Sequence, residues 1–258
     1  MKLINMLIDM IVWIPRIFFL LFYTSWNFFW GSRRERKWVI KNNNLQDDNH
    51  HPFSKRWEYA VTKSKMLSFS LGIKLVVRGE DNLPKGSAVL TPNHVSYADS
   101  MTLMQALGPD RETSAVAKIE LEKSVLRGYF DALEAFYIDR ENFRQAIAAL
   151  IGAGKWAKNN NRYMVIFPEG KRSGDSNKID DFNDGAYSIS KKLLMPIVPV
   201  TIIGTEQVFR KAFLPGKRVV QIIFDKPIKT KDIRHKDSVT ISNEVREQIK
   251  LNIDKYSK

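Results

Sequence analysis

From Lys74 onward the chain alternates short β-rich runs with helical patterns, and this alternation restricts the fold more than any other feature. Leu75–Arg78, Ala88–Leu90, Ser114–Ala117, Phe136–Asp139, Tyr163–Phe167, Ile197–Ile203 and Val219–Phe224 read as strands. Between them Ala98–Leu107 reads as a helix. Phe143, Ala146, Ile147 and Leu150 fall at i, i+3, i+4 and i+7, so the spacing predicts a second helix from Asn142 to Asn159, and Gly185–Leu194 is a third. The tail from Asp237 to Lys258 reads as an exposed amphipathic helix, with Val245, Ile249 and Ile253 in register. Gly152 and Gly154 lie inside a helical pattern rather than opening one after a strand, which makes them a weak nucleotide loop. The pattern predicts an α/β domain with a mixed, partly parallel sheet flanked by helices. At 258 residues the chain is long enough to bury a large core in one domain.

Ligands of such sheets bind beyond the carboxyl ends of strands. Three polar clusters fall at predicted strand ends: Asn93–Asp99, Asp139–Arg140 and Phe167–Ser173. Their shared position suggests one site. In the first, N-H-V-S-Y-A-D, His94 and Asp99 stand five positions apart. Five residues of helix turn a side chain by about 500°, so the two do not share a face of one helix. If they pair, His94 lies in the loop and Asp99 in the first helical turn, with Pro92, Asn93 and Ser96 supplying turn and cap chemistry. Asp99 then orients one imidazole nitrogen and leaves the other to take a proton, as a general base does. Spacing alone leaves open a capping aspartate beside an incidental histidine.

The second cluster, F-P-E-G-K-R-S, stops a strand at Pro168. Gly170 permits a close approach or an unusual backbone angle, and Arg172 suits a bidentate phosphate contact. Glu169 either bonds a ligand hydroxyl or pairs with a cation to hold the loop. Arg140, Arg172 and Lys118 are three cations at strand ends, a candidate phosphate clamp. Each one alone also reads as an ordinary surface charge.

With no Cys, the chain has neither disulfides nor thiolate metal sites. The 41 Lys and Arg against 28 Asp and Glu leave a net charge of +13, which points to a polyanionic partner. Residues 1–66 carry 11 of those cations against 5 acids. They flank an aromatic stretch, Ile11 to Trp30, followed by Arg33, Arg34, Arg36 and Lys37. Aromatics with adjacent cations suit the headgroup region of a bilayer. Pro15 and Arg16 interrupt the stretch, and the charge-free run Ile17 to Ser32 is shorter than the roughly 20 apolar residues of a span, so a helix or kinked pair in the interface is expected. The expected organisation is a membrane-associating segment over 1–41, a linker and helix over 42–73 and a catalytic domain over 74–258. His50 and His51 read as exposed loop residues. A nucleic-acid partner is not expected, because the aromatics cluster apart from the basic strands. No G-x-S-x-G elbow marks a serine hydrolase.

Taken in order, these blocks resemble the glycerophospholipid acyltransferase family, in particular the 1-acylglycerol-3-phosphate acyltransferases. His94 and Asp99 match its H-x4-D motif, and Phe136–Arg140 (F-Y-I-D-R) resembles its second block. Phe167–Ser173 resembles F-P-E-G-T-R-S, and Ile197–Val200 (I-V-P-V) the fourth block. Phe182–Ala186 sits where the family often has F-x-x-G-A. The resemblance implies transfer of a fatty acyl group from a thioester to the hydroxyl of lysophosphatidate, with His94 as general base and Asp99 orienting it. Arg140, Arg172 and Lys118 would bind the acceptor phosphate, and Glu169 and Gly170 would shape its site. It implies no cofactor and no metal, with acyl-CoA or acyl-acyl-carrier-protein as co-substrate. It also implies a lipid surface as partner, a membrane location and a catalytic domain on the cytoplasmic face. Lys171, where the family commonly has Thr, is a departure. A glycerol-3-phosphate or other lysophospholipid acyltransferase, and a non-catalytic membrane-surface binder, stand as alternatives.

Overall fold

The structure, a computed structural model, describes residues 11–22, 52–124 and 127–257. After a helix over residues 11–22 come α1 (Phe53–Ser70), β1 (Ile73–Arg78), β2 (Ala88–Pro92), α2 (Ala98–Leu107), β3 (Thr113–Lys118), α3 (Arg127–Ala132) and β4 (Phe136–Ile138). These are followed by α4 (Phe143–Asn159), β5 (Tyr163–Val165), α5 (Gly185–Leu193), β6 (Ile197–Ile203), α6 (Glu206–Arg210), β7 (Arg218–Phe224), α7 (Thr230–His235) and α8 (Ser238–Tyr256).

One seven-stranded sheet runs in the order β1-β7-β6-β2-β5-β3-β4. From β6 to β4 all neighbours are parallel. β7 is antiparallel to β6 and parallel to β1, so β1 and β7 run against the rest. The carboxyl ends of the parallel strands and the amino ends of β1 and β7 therefore meet at one edge of the sheet. This is the mixed, helix-flanked sheet expected from the alternation.

Side chains of the central strands alternate between two cores, as the two-residue strand period dictates. Leu90, Val198 and Ile222 meet Trp57 of α1 and Leu103 and Leu107 of α2 on one face. Val89, Ile197 and Ile223 meet Ala153 and Ala157 of α4, Tyr187 of α5 and α8 on the other. β6, Ile-Val-Pro-Val-Thr-Ile-Ile, is buried along its whole length, as a continuous apolar run requires. Gly154 lets α4 and α5 pack closely: a Cβ there would lie 2.3 Å from Leu193 Cδ1. Gly154 is thus a helix-packing feature, while Gly152 faces the Phe136 ring of β4. α8 departs from its expected exposure. Ile241, Val245, Ile249 and Ile253 are buried against the sheet, because they complete the second core, and only the polar face meets water. Asp237 caps this helix by accepting the Thr240 amide at 2.7 Å.

The segment 11–22 is helical through Pro15 and Arg16. Leu20 packs with Leu71, Val208, Ala212 and Val220, while Ile11, Ile14 and Phe18 face outward. Arg16 turns inward onto Gly72, where a Cβ would fall 1.7 Å from its Nη2. Among the described residues no helix is long and apolar enough to cross a membrane. The aromatic and basic residues from Tyr23 to Lys41, and the linker with His50 and His51, lie outside the described residues.

Candidate active site

The site grows from the ends of β2 and β5. Asn93, just past β2, prolongs the pairing with β6 through its side chain: Nδ2 donates to the Ile202 carbonyl at 2.9 Å and Oδ1 accepts the Ile202 amide at 2.7 Å. A side-chain amide is a copy of the peptide group, so the ladder is satisfied while the main chain is released to turn at His94. Ser96 then shapes the turn that leads into α2, its Oγ accepting from the Ala98 amide at 3.0 Å.

Asp99, in the first turn of α2, is fully buried and collects donors. Oδ2 accepts His94 Nδ1 at 2.7 Å, the Val95 amide at 2.6 Å and the Ser96 amide at 2.9 Å. Oδ1 accepts the Thr205 hydroxyl at 2.5 Å. The two backbone amides can only donate, so Oδ2 is an acceptor here, and its bond to the imidazole is satisfied when the ring nitrogen donates. The proton in the His94–Asp99 bond therefore belongs to Nδ1, and in the neutral ring Nε2 carries the lone pair. Among the described residues Nε2 has no hydrogen-bond partner. The imidazole is 17% exposed and stacks on Phe167, centroids 4.1 Å apart, so the ring is held on two sides.

The loop after β5 grips the histidine turn. The Ser173 amide donates to the His94 carbonyl at 2.9 Å, and the Gly174 amide to that of Val95 at 3.1 Å. Glu169 accepts the His94 amide at 2.6 Å and the Asp180 amide at 3.1 Å. Both oxygens thus serve to tie three chain segments together, and no cation pairs with Glu169 among the described residues. Burial pushes its carboxyl up to about 7, while the two amides pull the other way. Gly170 has φ +70°, the left-handed region that a side chain strains, and its carbonyl accepts from Arg140 Nη1.

The structure therefore joins His94, Asp99, Glu169, Gly170 and Arg140 into one bonded network at the expected edge. Arg172 stands beside it: its guanidinium lies 3.7 Å from the Tyr97 ring centroid and donates to the Tyr97 hydroxyl at 2.9 Å. Lys171 pairs with Asp180 at 3.2 Å. Lys118 ends β3 exposed, in register with Ile138 two residues before Arg140, and among the described residues makes no hydrogen bond or ion pair to this network. Among the described residues no group of three or more His, Asp or Glu side chains could hold a metal ion.

Thr205 and Phe167 are partners of the aspartate and the histidine that the motifs do not reveal. Gly204–Thr205 directly follows β6, itself a strand-end position, and that was the available signal. Gly204 has φ +89°, and a Cβ there would lie 2.4 Å from the Val219 carbonyl, so this turn also needs a glycine.

The family model for acyltransferases matches residues 74–203, which contain the whole bonded network except Thr205. The chain belongs to the acyltransferase family. The enzyme is 28% identical over 218 residues to a Mycoplasma pneumoniae protein named "probable 1-acyl-sn-glycerol-3-phosphate acyltransferase", covering 80% of this chain and 81% of that one. It is 29% identical to the 1-acyl-sn-glycerol-3-phosphate acyltransferase of Saccharomyces cerevisiae, over 75% of this chain and 64% of the yeast protein. The crystal structure of the 1-acyl-sn-glycerophosphate acyltransferase PlsC of Thermotoga maritima superposes with a TM-score of 0.71, at 22% identity, over 96% of this chain and 98% of that one.

Proposed function

We propose that the enzyme moves a fatty acyl group from acyl-CoA or acyl-acyl-carrier-protein to the free hydroxyl of 1-acylglycerol-3-phosphate, yielding phosphatidate. The names of the relatives support the acceptor. The observation that carries the mechanism is the His94 Nδ1–Asp99 bond, with Asp99 saturated by three other donors and Nε2 left to a substrate.

His94 Nε2 takes the proton of the acceptor hydroxyl as its oxygen attacks the thioester carbonyl. The new C–O bond forms, the C–S bond breaks, and the leaving thiolate collects the proton from the imidazolium. Asp99 holds the ring and stabilises its transient charge. The amides of His94, Val95 and Ser96 are already given to Glu169 and Asp99, so the donors for the carbonyl oxyanion lie outside that turn. Arg140 and Arg172 take the acceptor phosphate, with Lys118 at the rim, and Glu169 and Gly170 shape the pocket by fixing the loop on which Arg172 stands. Both substrates carry long apolar chains. The outward apolar residues of segment 11–22 dock the enzyme on the membrane, with the catalytic domain on the cytoplasmic face.

Thiol release from acyl-CoA tests this directly, measured with lysophosphatidate, with glycerol 3-phosphate and with no acceptor. Release that requires lysophosphatidate supports the proposal. Faster release with glycerol 3-phosphate, or equal release with no acceptor, overturns it.

A further inference from the structure

We propose that the turn between α6 and β7 is a second membrane-docking element, set beside the active site and specific for anionic bilayers. Its apolar side chains point into water: Phe209 is 49% exposed, Phe213 61% and Leu214 54%. Arg210, Lys211 and Lys217 stand among them, all exposed, and Glu206 is the one acid in the segment 205–220. Aromatic and aliphatic groups interleaved with cations are the chemistry of an anionic bilayer surface, where rings enter the headgroup layer and cations meet lipid phosphates.

The exposure is built rather than slack. Arg218 is 3% exposed and donates to four carbonyls: Leu71 at 3.1 Å, Gly216 at 2.8 Å, Leu214 at 2.5 Å and Lys211. One buried guanidinium thus pins the turn to the end of α1, and Gly216, at φ +102°, closes it. Inward, Val208 and Ala212 share a core with Leu20 of the segment 11–22, so this turn packs beside a helix that also exposes apolar side chains. β7 begins at the sheet edge where β2 and β6 end, and Thr205, the Asp99 partner, immediately precedes α6. A bilayer touching Phe213 and Leu214 is therefore presented to the histidine edge of the sheet.

The test needs no substrate, so it stands apart from the choice of acceptor. The chain has no native Cys, which makes single-site labelling clean. The full-length Leu214→Cys variant carries an environment-sensitive fluorophore and is mixed with phosphatidylcholine vesicles with and without phosphatidylglycerol. Leu251→Cys is the control, 61% exposed on α8. A blue shift at 214 with phosphatidylglycerol vesicles, and none at 251, supports the proposal. A water-like spectrum at 214 while the protein co-sediments with those vesicles overturns it. In a second arm, Phe213→Asp with Leu214→Asp should lower vesicle partitioning by about tenfold or more. Unchanged partitioning overturns the proposal, as does a dimer in light scattering that these substitutions break without affecting vesicle binding.

Discussion

Two turns at the same edge of the sheet are organised by the same device with opposite charge. In the His94–Asp99 turn a buried carboxylate gathers two amides, a hydroxyl and an imidazole. In the Lys211–Arg218 turn a buried guanidinium gathers four carbonyls. The first turn holds a reactive ring half-inward, and the second holds apolar side chains outward. A buried charge is tolerated in either because its hydrogen-bonding capacity is used up locally. What differs is what the fixed backbone is made to present.

If that contrast is correct, removing each charge produces a different failure. Of these charge substitutions, the largest effect is expected from Asp99→Asn. The variant is nearly isosteric but puts an NH2 where donors converge, so it disturbs the imidazole tautomer. Acyl transfer should fall by about 10³–10⁴-fold, by analogy with orienting aspartates in triads. A shallower fall, under about tenfold in kcat, would mean Asp99 is a helix cap and little more. Arg218→Met should do the reverse. Stranding several carbonyls is expected to cost roughly 3 kcal/mol in denaturant unfolding. Turnover per folded molecule on a dispersed short-chain acceptor should stay within about twofold, since Arg218 touches no reacting group.

Glu169 separates holding from chemistry through pH. Its carboxyl sits at about 7 against an ordinary 4.5, so the folded protein binds this proton more tightly than the unfolded chain does. The resulting stability is full below the ordinary value and is lost as pH rises through about 7. Over that window the loss is at most roughly 3 kcal/mol, and Glu169→Gln should flatten the fall between acid and neutral pH by that order. Asp225, raised by burial to about 6 and bonded by Gln248 and Asn252, contributes a similar slope that the variant keeps. A pH profile unchanged by the substitution would remove Glu169 from the account of the loop. The smallest effect is expected from Thr205→Val, which deletes one donor to Asp99. A loss of about 1 kcal/mol and a several-fold drop in kcat with little change in KM are expected. A change in KM alone would give Thr205 a different role.

The two turns were unequally legible. Histidine and aspartate have distinctive chemistry, and if they pair the five-residue gap requires a loop-then-helix geometry; N-H-V-S-Y-A-D alone leaves a capping aspartate open, and the order of the other blocks makes the first turn readable. The strands were equally readable, since a fully apolar run such as Ile197–Ile203 has few other places to go. Arg218 begins a strand, and Arg-Val-Val says nothing of four carbonyls brought from residues 71 to 216. Thr205 is an ordinary hydroxyl 106 positions from its partner, and only the antiparallel return of β7 beside β6 fixes the turn it sits in. The burial of α8 was hidden for a related reason. Periodicity marks Val245, Ile249 and Ile253 as one face, but the sheet that covers this face is assembled from distant segments. Glu169 shows the same limit: its type suggested a ligand or a cation, and its partners are two backbone amides.

The most direct test of the central claim is turnover of His94→Ala with acyl-CoA and lysophosphatidate, alongside its melting curve. With Nε2 as the base, acyl transfer falls by about 10³-fold or more while the melting temperature stays near that of the native enzyme. Transfer within about tenfold of the native rate by a folded His94→Ala protein would contradict the account.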